Sequence, residues 1–240
     1  MKYALVTGST AGIGLAIAKR LLEEGCFVFV NFAHSEENAQ AAKKILSTVS
    51  SNYAMIKADM SKLEGVNIVG EAVSKLCPQL DYLILNSYVT DKTDFLQVTP
   101  EQWQHVMDMN VNMPFFLMQR LYDHMAESGS VVCIGAVMGI YPHAISVSYG
   151  VSKAALHMLC RSMVKIYESK KVRINAVCPG FVETPAQAGK APDHRQRIEN
   201  KIALHRFAQP KEIADFCFSV LNNGYINGAV IPIDGGYDMA

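Results

Sequence analysis

Short apolar runs alternate with amphipathic stretches along the whole chain. Residues 2–7 form an apolar run closed by glycine, the pattern of a buried parallel strand. From Gly12 to about Glu24, Ile13, Ile17, Leu21 and Leu22 recur at helical spacing, and Gly25 ends the segment. Residues 26–32 read as a second strand, and Ser35 as the N-cap of a helix reaching Leu46. The alternation continues with a strand at 53–58, a helix at 63–76 and a strand at 80–85 that ends at Asn86. Thr99, Pro100 and Glu101 open a helix predicted to run to about residue 126. Strands follow at 130–134, 172–177 and 229–233, with helices from Tyr149 to about 169 and from Pro210.

This order predicts one α/β domain over residues 1–240, a doubly wound parallel sheet of about seven strands with helices on both faces, because right-handed crossovers place helices on either side. Ligands of such sheets bind beyond the carboxyl ends of the strands.

Charge narrows the partners. Lys plus Arg and Asp plus Glu stand at 22 each, so no surplus favours nucleic acid or an anionic membrane, and a small molecule fits better. The six cysteines lie singly, without metal-ligand spacing or a disulfide framework, and the histidines are scattered. No metal site is expected, and the cysteines read as small core hydrophobes in a reducing compartment. The first strand begins close to Met1 and no apolar run reaches the length of a membrane span, which suggests a cytoplasmic location.

Two stretches carry candidate chemistry. Thr7, Gly8, Ser9, Thr10, Ala11, Gly12, Ile13 and Gly14 join the first strand to the first helix, where glycines let the backbone approach a pyrophosphate and the helix N-terminus offers N–H groups to it. The second is Tyr149 with Lys153, four apart on a helix and so on one face, where an ammonium can lower a phenol's pKa. The same interval at Tyr53 and Lys57 falls on a strand, where four residues span roughly 13 Å and the groups cannot meet.

The glycine turn, Asp59 after the third strand, Asn86 after the fourth, Asn110 in the long helix, Tyr149 with Lys153, and Pro179, Gly180 and Thr184 together resemble the short-chain dehydrogenase/reductase family, whose fold is a Rossmann fold. The resemblance covers almost the entire chain. It is nearest the branch of the 3-oxoacyl-carrier-protein reductases, through Leu204, His205, Arg206 and Phe207 with Gln209 and Pro210, and the closing Asp234, Gly235 and Gly236. It implies hydride transfer between a nicotinamide and a carbonyl or secondary alcohol. Asp59 and Met60 would contact the adenine, Asn86 and Ser87 lie along the cofactor, and Val182 and Thr184 approach the nicotinamide end. Residues after the second strand choose the cofactor: Asn31, Phe32, Ala33, His34 and Ser35 include no acid, and His34 and Ser35 suit a 2'-phosphate, so NADP(H) is favoured over NAD(H).

The resemblance makes Tyr149 the proton donor and acceptor, with Lys153 and Asn110 as its companions, Asn110 holding a helix irregularity. The family also places a serine thirteen residues before the tyrosine to bond the substrate oxygen, and here that position is Ala136. Another hydroxyl could stand in, with Ser87, Tyr88, Tyr141, Ser146 and Ser148 as candidates. The enzyme could instead be slow or need no such bond, or the chain could bind a dinucleotide without turnover, as a binding or assembly module. Tyr88 stands where the family has glycine, and Met113 where a glycine often follows Asn110, so the pocket is expected to be reshaped. Residues 184–206 correspond to the family's substrate lid, and the long helices imply a homotetramer or homodimer.

Overall fold

Every strand pairs with its neighbours in parallel, in the order β3-β2-β1-β4-β5-β6-β7. The computed structural model describes residues 1–142 and 145–237. The strands are β1 (Tyr3–Val6), β2 (Phe27–Phe32), β3 (Tyr53–Lys57), β4 (Leu80–Leu85), β5 (Met125–Ile134), β6 (Arg173–Pro179) and β7 (Val230–Ile233). Between them run α1 (Gly12–Glu23), α2 (Glu36–Ser47), α3 (Leu63–Leu76), α4 (Pro100–Met107), α5 (Met113–Leu121), α6 (Val147–Ile166), α7 (Pro192–Glu199) and α8 (Pro210–Asn222).

Successive strand residues face opposite sides of the sheet, so each strand feeds two cores. Leu5, Phe29, Leu83 and Val131 meet α3, α5 and α6 through Val69, Leu117 and Leu156. Ala4, Val6, Val28, Ile84 and Val132 meet α1 and α8 through Ile17, Leu21, Ile213 and Cys217. Burial on both faces explains why these strands read as continuous apolar runs rather than alternating ones. All six cysteines are free and buried.

The one long helix predicted at 100–126 is broken. α4 ends at Met107, a π-type turn spans Asp108–Asn112, and α5 stops at Leu121 before a short 3-10 turn at Tyr122–His124. The π turn has a cause in Asn110, buried and bonded outside its own helix to Val89 and Ser152. β5 then begins at Met125, five residues earlier than predicted, with a register shift against β4 between Leu80 and Tyr82 that accommodates Ser128 at a φ of 62°. Among the described residues no helix is long and apolar enough to cross a membrane.

Candidate active site

Because all strands are parallel, the turns that follow β1 to β6 converge on one edge of the sheet, and the predicted site residues lie in or beyond those turns, except Asn31, which lies within β2, and Pro179, the last residue of β6. The turn after β1 is held from beneath. Asn31, 1% exposed, accepts from Gly8 N–H at 3.2 Å and donates to the carbonyls of Ile56 and Ala58. Its amide is thus spent inside the fold, and it contributes the shape of the turn. Ser9 is buried as well, its hydroxyl donating to Val6 O at 2.7 Å. Asn86 donates to the carbonyls of Thr7 and Gly8, both at 2.9 Å, tying the end of β4 to the same turn, and Ser87 faces Gly8. Gly14 must be glycine: a Cβ there would stand 2.4 Å from Gly8 O and 2.5 Å from Asn86 Nδ2. Thr10 and Ile13 are partly exposed along the turn, and the Thr184 methyl faces Gly12 across it.

This cradle fits the pyrophosphate of a dinucleotide. No side chain caps α1, whose N-cap is Ala11, and its first turn carries no acid, so N–H groups and the positive dipole end are left for an anion.

At the far end of the cleft, exposed His34 approaches Asp59, Nε2 to Oδ2 at 3.4 Å, and Ser35 accepts from Asn38 N–H as the cap of α2. Asp59 sits below its usual carboxylate value: partial burial opposes the charge, but bonds from Ser61 and the nearby His34 outweigh it. The structure thus brings an acid to His34 from the turn after β3, although residues 31–35 contain none. Met60 is buried in the core beneath. Pro179 ends β6, Gly180 N–H bonds Ile233 O at 3.0 Å, and Val182 is buried beside Ala208.

Tyr149 and Lys153 share a face of α6 as their spacing predicts, and Asn110 stands beside them, linked through Ser152. Lys153, 1% exposed, donates to Ile134 O at 2.7 Å, and its ammonium lies 5.6 Å from the centroid of the Tyr149 ring. Asn110 holds the frame. Its side chain bonds both the N–H and the carbonyl of Val89 and donates to Ser152 Oγ, each at 2.9 Å, and Ser152 Oγ donates to Tyr149 O at 2.8 Å.

The expected lowering of the phenol by Lys153 is not the net result. Burial pushes Tyr149 well above its ordinary value, with Tyr88 and Cys178 adding to the effect. Burial also pushes Lys153 down to about 8, with Cys133 and Cys178 opposing, so the ammonium is still mostly charged at neutral pH.

The structure brings in neighbours that spacing alone did not reveal. The Tyr88 ring lies 5.8 Å from that of Tyr149, with the Lys153 ammonium 5.4 Å from its centroid. Tyr88 is 41% exposed, and partial burial pushes its phenol up. Behind Ala136, buried His157 accepts from Ala136 N–H at 3.4 Å and touches Cys178 Sγ at 3.2 Å. A Cβ on Gly135 would fall 2.3 Å from His157 Nε2, so this imidazole fills the space a side chain there would need. His157 stands four after Lys153, the same helical interval that joins Lys153 to Tyr149, and that interval was the available signal.

The family model described as Enoyl-(Acyl carrier protein) reductase matches residues 8–238. The chain belongs to the short-chain dehydrogenase/reductase family. It is 30% identical to the 3-oxoacyl-[acyl-carrier-protein] reductase of Aquifex aeolicus over 98% of this chain and 96% of that protein. It is 33% identical to the L-rhamnose-1-dehydrogenase of Scheffersomyces stipitis, over 98% and 95%. Among solved structures, the Pseudomonas aeruginosa RhlG/NADP active-site complex superposes with a TM-score of 0.92 at 30% identity, covering 98% of this chain and 96% of that one. Its relatives are oxidoreductases of small molecules, the short-chain dehydrogenase/reductase family binds a nicotinamide dinucleotide, and several of the similar solved structures are NADP complexes.

Proposed function

We propose that the protein is an NADP(H)-dependent reductase that exchanges a hydride with a carbonyl or secondary alcohol carbon, with Tyr149 moving the proton at the oxygen. The observation that carries this reading is the gathering of Tyr149, Lys153 and Asn110 beside the glycine turn. The dinucleotide, when bound, supplies or accepts the hydride. Gly8, Ser9, Thr10, Gly12, Ile13 and Gly14 shape its pyrophosphate cradle, with Asn86 and Ser87 along the cleft and Pro179, Gly180, Val182 and Thr184 on the opposite wall. Asp59, His34 and Ser35 form the adenosine end, with Asn31 and Met60 supporting it from beneath. The absence of an acid at 31–35 and the exposed imidazole of His34 support a 2'-phosphate there, as do the NADP complexes among its structural relatives.

Tyr149 gives its proton to the carbonyl oxygen in reduction and takes it back in oxidation. Lys153 stabilises the phenolate that this leaves, and Asn110 keeps both aligned through Val89 and Ser152. Ala136 offers no hydroxyl to the substrate oxygen. Of the candidate replacements, Ser146 is engaged with Thr90 Oγ1 at 2.9 Å and Ser87 faces Gly8, whereas Tyr88 adjoins both Tyr149 and Lys153. We therefore assign the stand-in role to Tyr88. The 3-oxoacyl relatives make a 3-oxoacyl thioester the leading substrate to assay.

The test is NADPH oxidation over a panel of ketones and 3-oxoacyl thioesters. Tyr149→Phe abolishes turnover while NADPH still binds by calorimetry. Tyr88→Phe costs about 100-fold, the order expected for one donor to a developing oxyanion, and Ala136→Ser in that variant restores part of the loss. The missing serine and the raised Tyr149 phenol favour a second reading, a dinucleotide-binding module without turnover. Tight NADPH binding with no oxidation of any panel member would select it. Val151, Met158 and Ile166 leave an apolar strip exposed on α6, which supports self-association, and light scattering reads the number of copies.

A further inference from the structure

Residues 184–194 leave the carboxyl edge of the sheet as a loop that returns to its own starting point. Thr184, at its head, faces the glycine turn: a Cβ on Gly12 would stand 3.1 Å from the Thr184 methyl. Pro185–Gln187 forms a short 3-10 turn, Pro185 and Ala186 are exposed, and a Cβ on Gly189 would meet nothing within 4 Å. Among the described residues the hydrogen bonds of this loop run within it or into α7, as from Gln187 N–H to Thr184 O at 2.9 Å and from Lys190 N–H to Gln187 O at 3.2 Å. The Lys190 ammonium lies 5.9 Å from the centroid of the Phe181 ring.

The two ends of the loop are tied by charge. Glu183, the residue before Thr184, meets Arg195 of α7 in a fork: Oε2 accepts from Nη1 at 3.0 Å, and Oε1 accepts from Nη2. Both partners are fixed from behind. Glu183 N–H bonds Ala208 O at 2.8 Å. Arg195 Nε donates to Glu199 at 2.8 Å, and its guanidinium lies 4.4 Å from the centroid of Phe207, which packs with buried Ile198 and Ile202. The bond from Arg195 holds the Glu183 carboxyl below its usual range. A single exposed ion pair contributes little, but a two-bond fork joined to a second carboxylate and a ring face holds one geometry.

We propose that Glu183 and Arg195 are a positioning pair that closes the neck of this loop and so keeps Thr184 against the glycine turn, at the end of the cleft away from His34 and Asp59. The pair acts through the backbone between Glu183 and Thr184 and touches no ligand itself. The inference deepens the NADP(H) reading of the cleft and rests on it for the ligand. With the fork open, Thr184 has to be ordered as the dinucleotide binds, and that cost is read as lost affinity.

The test reads backbone exchange and binding. Hydrogen exchange of residues 184–194 is followed by mass spectrometry in the protein without ligand. Calorimetry gives the affinities of NADPH and of 2',5'-ADP, which lacks the nicotinamide end. Glu183→Gln and Arg195→Gln are expected to speed exchange in the loop and to weaken NADPH about five-fold, the scale of one charged pair in good geometry, while 2',5'-ADP changes by less than about two-fold. Arg195→Lys keeps the charge and reaches one oxygen, so it recovers part of the loss. The double variant Glu183→Gln, Arg195→Gln is no weaker than Arg195→Gln, because both remove the same fork. Arg197→Gln opens only the exposed pair with Asp193 within α7, 3.1 Å long, and leaves both readouts unchanged. Exchange and NADPH affinity unchanged in the single variants, an equal loss for NADPH and 2',5'-ADP, no recovery in Arg195→Lys, or losses that add in the double variant would each overturn the proposal. A protein that binds NADPH without oxidising any ketone, yet responds to the neck variants as expected, loses the reductase assignment and keeps the clamp. Turnover with neck variants that match the wild type does the reverse, and a wild type with no affinity for NADPH overturns both.

Discussion

His157 couples the stability of the candidate active site to acid. In the unfolded chain its imidazole titrates near 6.5, whereas in the fold it is pushed down to about 4. Burial is the largest cause, followed by the Lys153 charge; a bond to the Gly139 backbone opposes, and Arg161 adds a smaller push in the same direction. Between these two values the unfolded chain holds a proton that the folded chain refuses. Stability therefore falls as pH drops from 6.5 to about 4, changes little below, and owes nothing to this group above 6.5. The gap corresponds to roughly 3 kcal/mol at the acid end, a large part of the stability of an ordinary domain. Protonation would also cost Ala136 N–H its acceptor and set a second cation beside Lys153. The perturbation is His157→Gln, whose amide oxygen accepts from Ala136 N–H and never titrates. Urea unfolding followed by Trp103 fluorescence, repeated from neutral pH down to 4, gives the stability curve of each protein. Asp59, Glu183, Glu212 and Asp215, all held below their usual values, titrate alike in both and cancel in the difference. Wild type should lose about 3 kcal/mol more than the variant across this window. Curves that run parallel from 6.5 to 4 would show that the imidazole is not held neutral by burial, and the reasoning fails.

Gly14→Ala forces a methyl to within 2.4 Å of Gly8 O, so the turn must open, at about 1 to 3 kcal/mol and with loss of NADPH binding by calorimetry. Asn110→Ala removes three hydrogen bonds, one buried and two partly buried, expected to lower stability by roughly 2 to 4 kcal/mol and to reduce kcat more than it raises KM, since Tyr88 and Tyr149 lose their common clamp; thermal unfolding and steady-state kinetics read the two effects.

The boundaries of α3 and β4 match the expectation to the residue because each segment carries one unambiguous period, helical at Val66, Val69 and Val73 and a short apolar run at Leu80–Leu85. The segment from 100 to 126 is different. Its apolar residues fit a continuous helix, and only bonds from Asn110 to Val89 and Ser152, 21 and 42 residues away, turn it into two helices with a π turn between them. The glycine turn, Tyr149 and Lys153 were legible because each depends on backbone shape or helical spacing within a few residues.

The chain by itself determined the parallel sheet, the turns on its carboxyl edge and the family, since these follow from local period, glycine placement and motif order. Tertiary structure alone decided the electrostatics of the site. It set Tyr88 against Tyr149, 61 positions apart, buried Lys153 until its pKa fell to about 8, and packed His157 and Cys178 behind Ala136. Burial and the loss of water around a charge are properties of the whole packing, so no stretch of sequence contains them before the strands and helices close around the group.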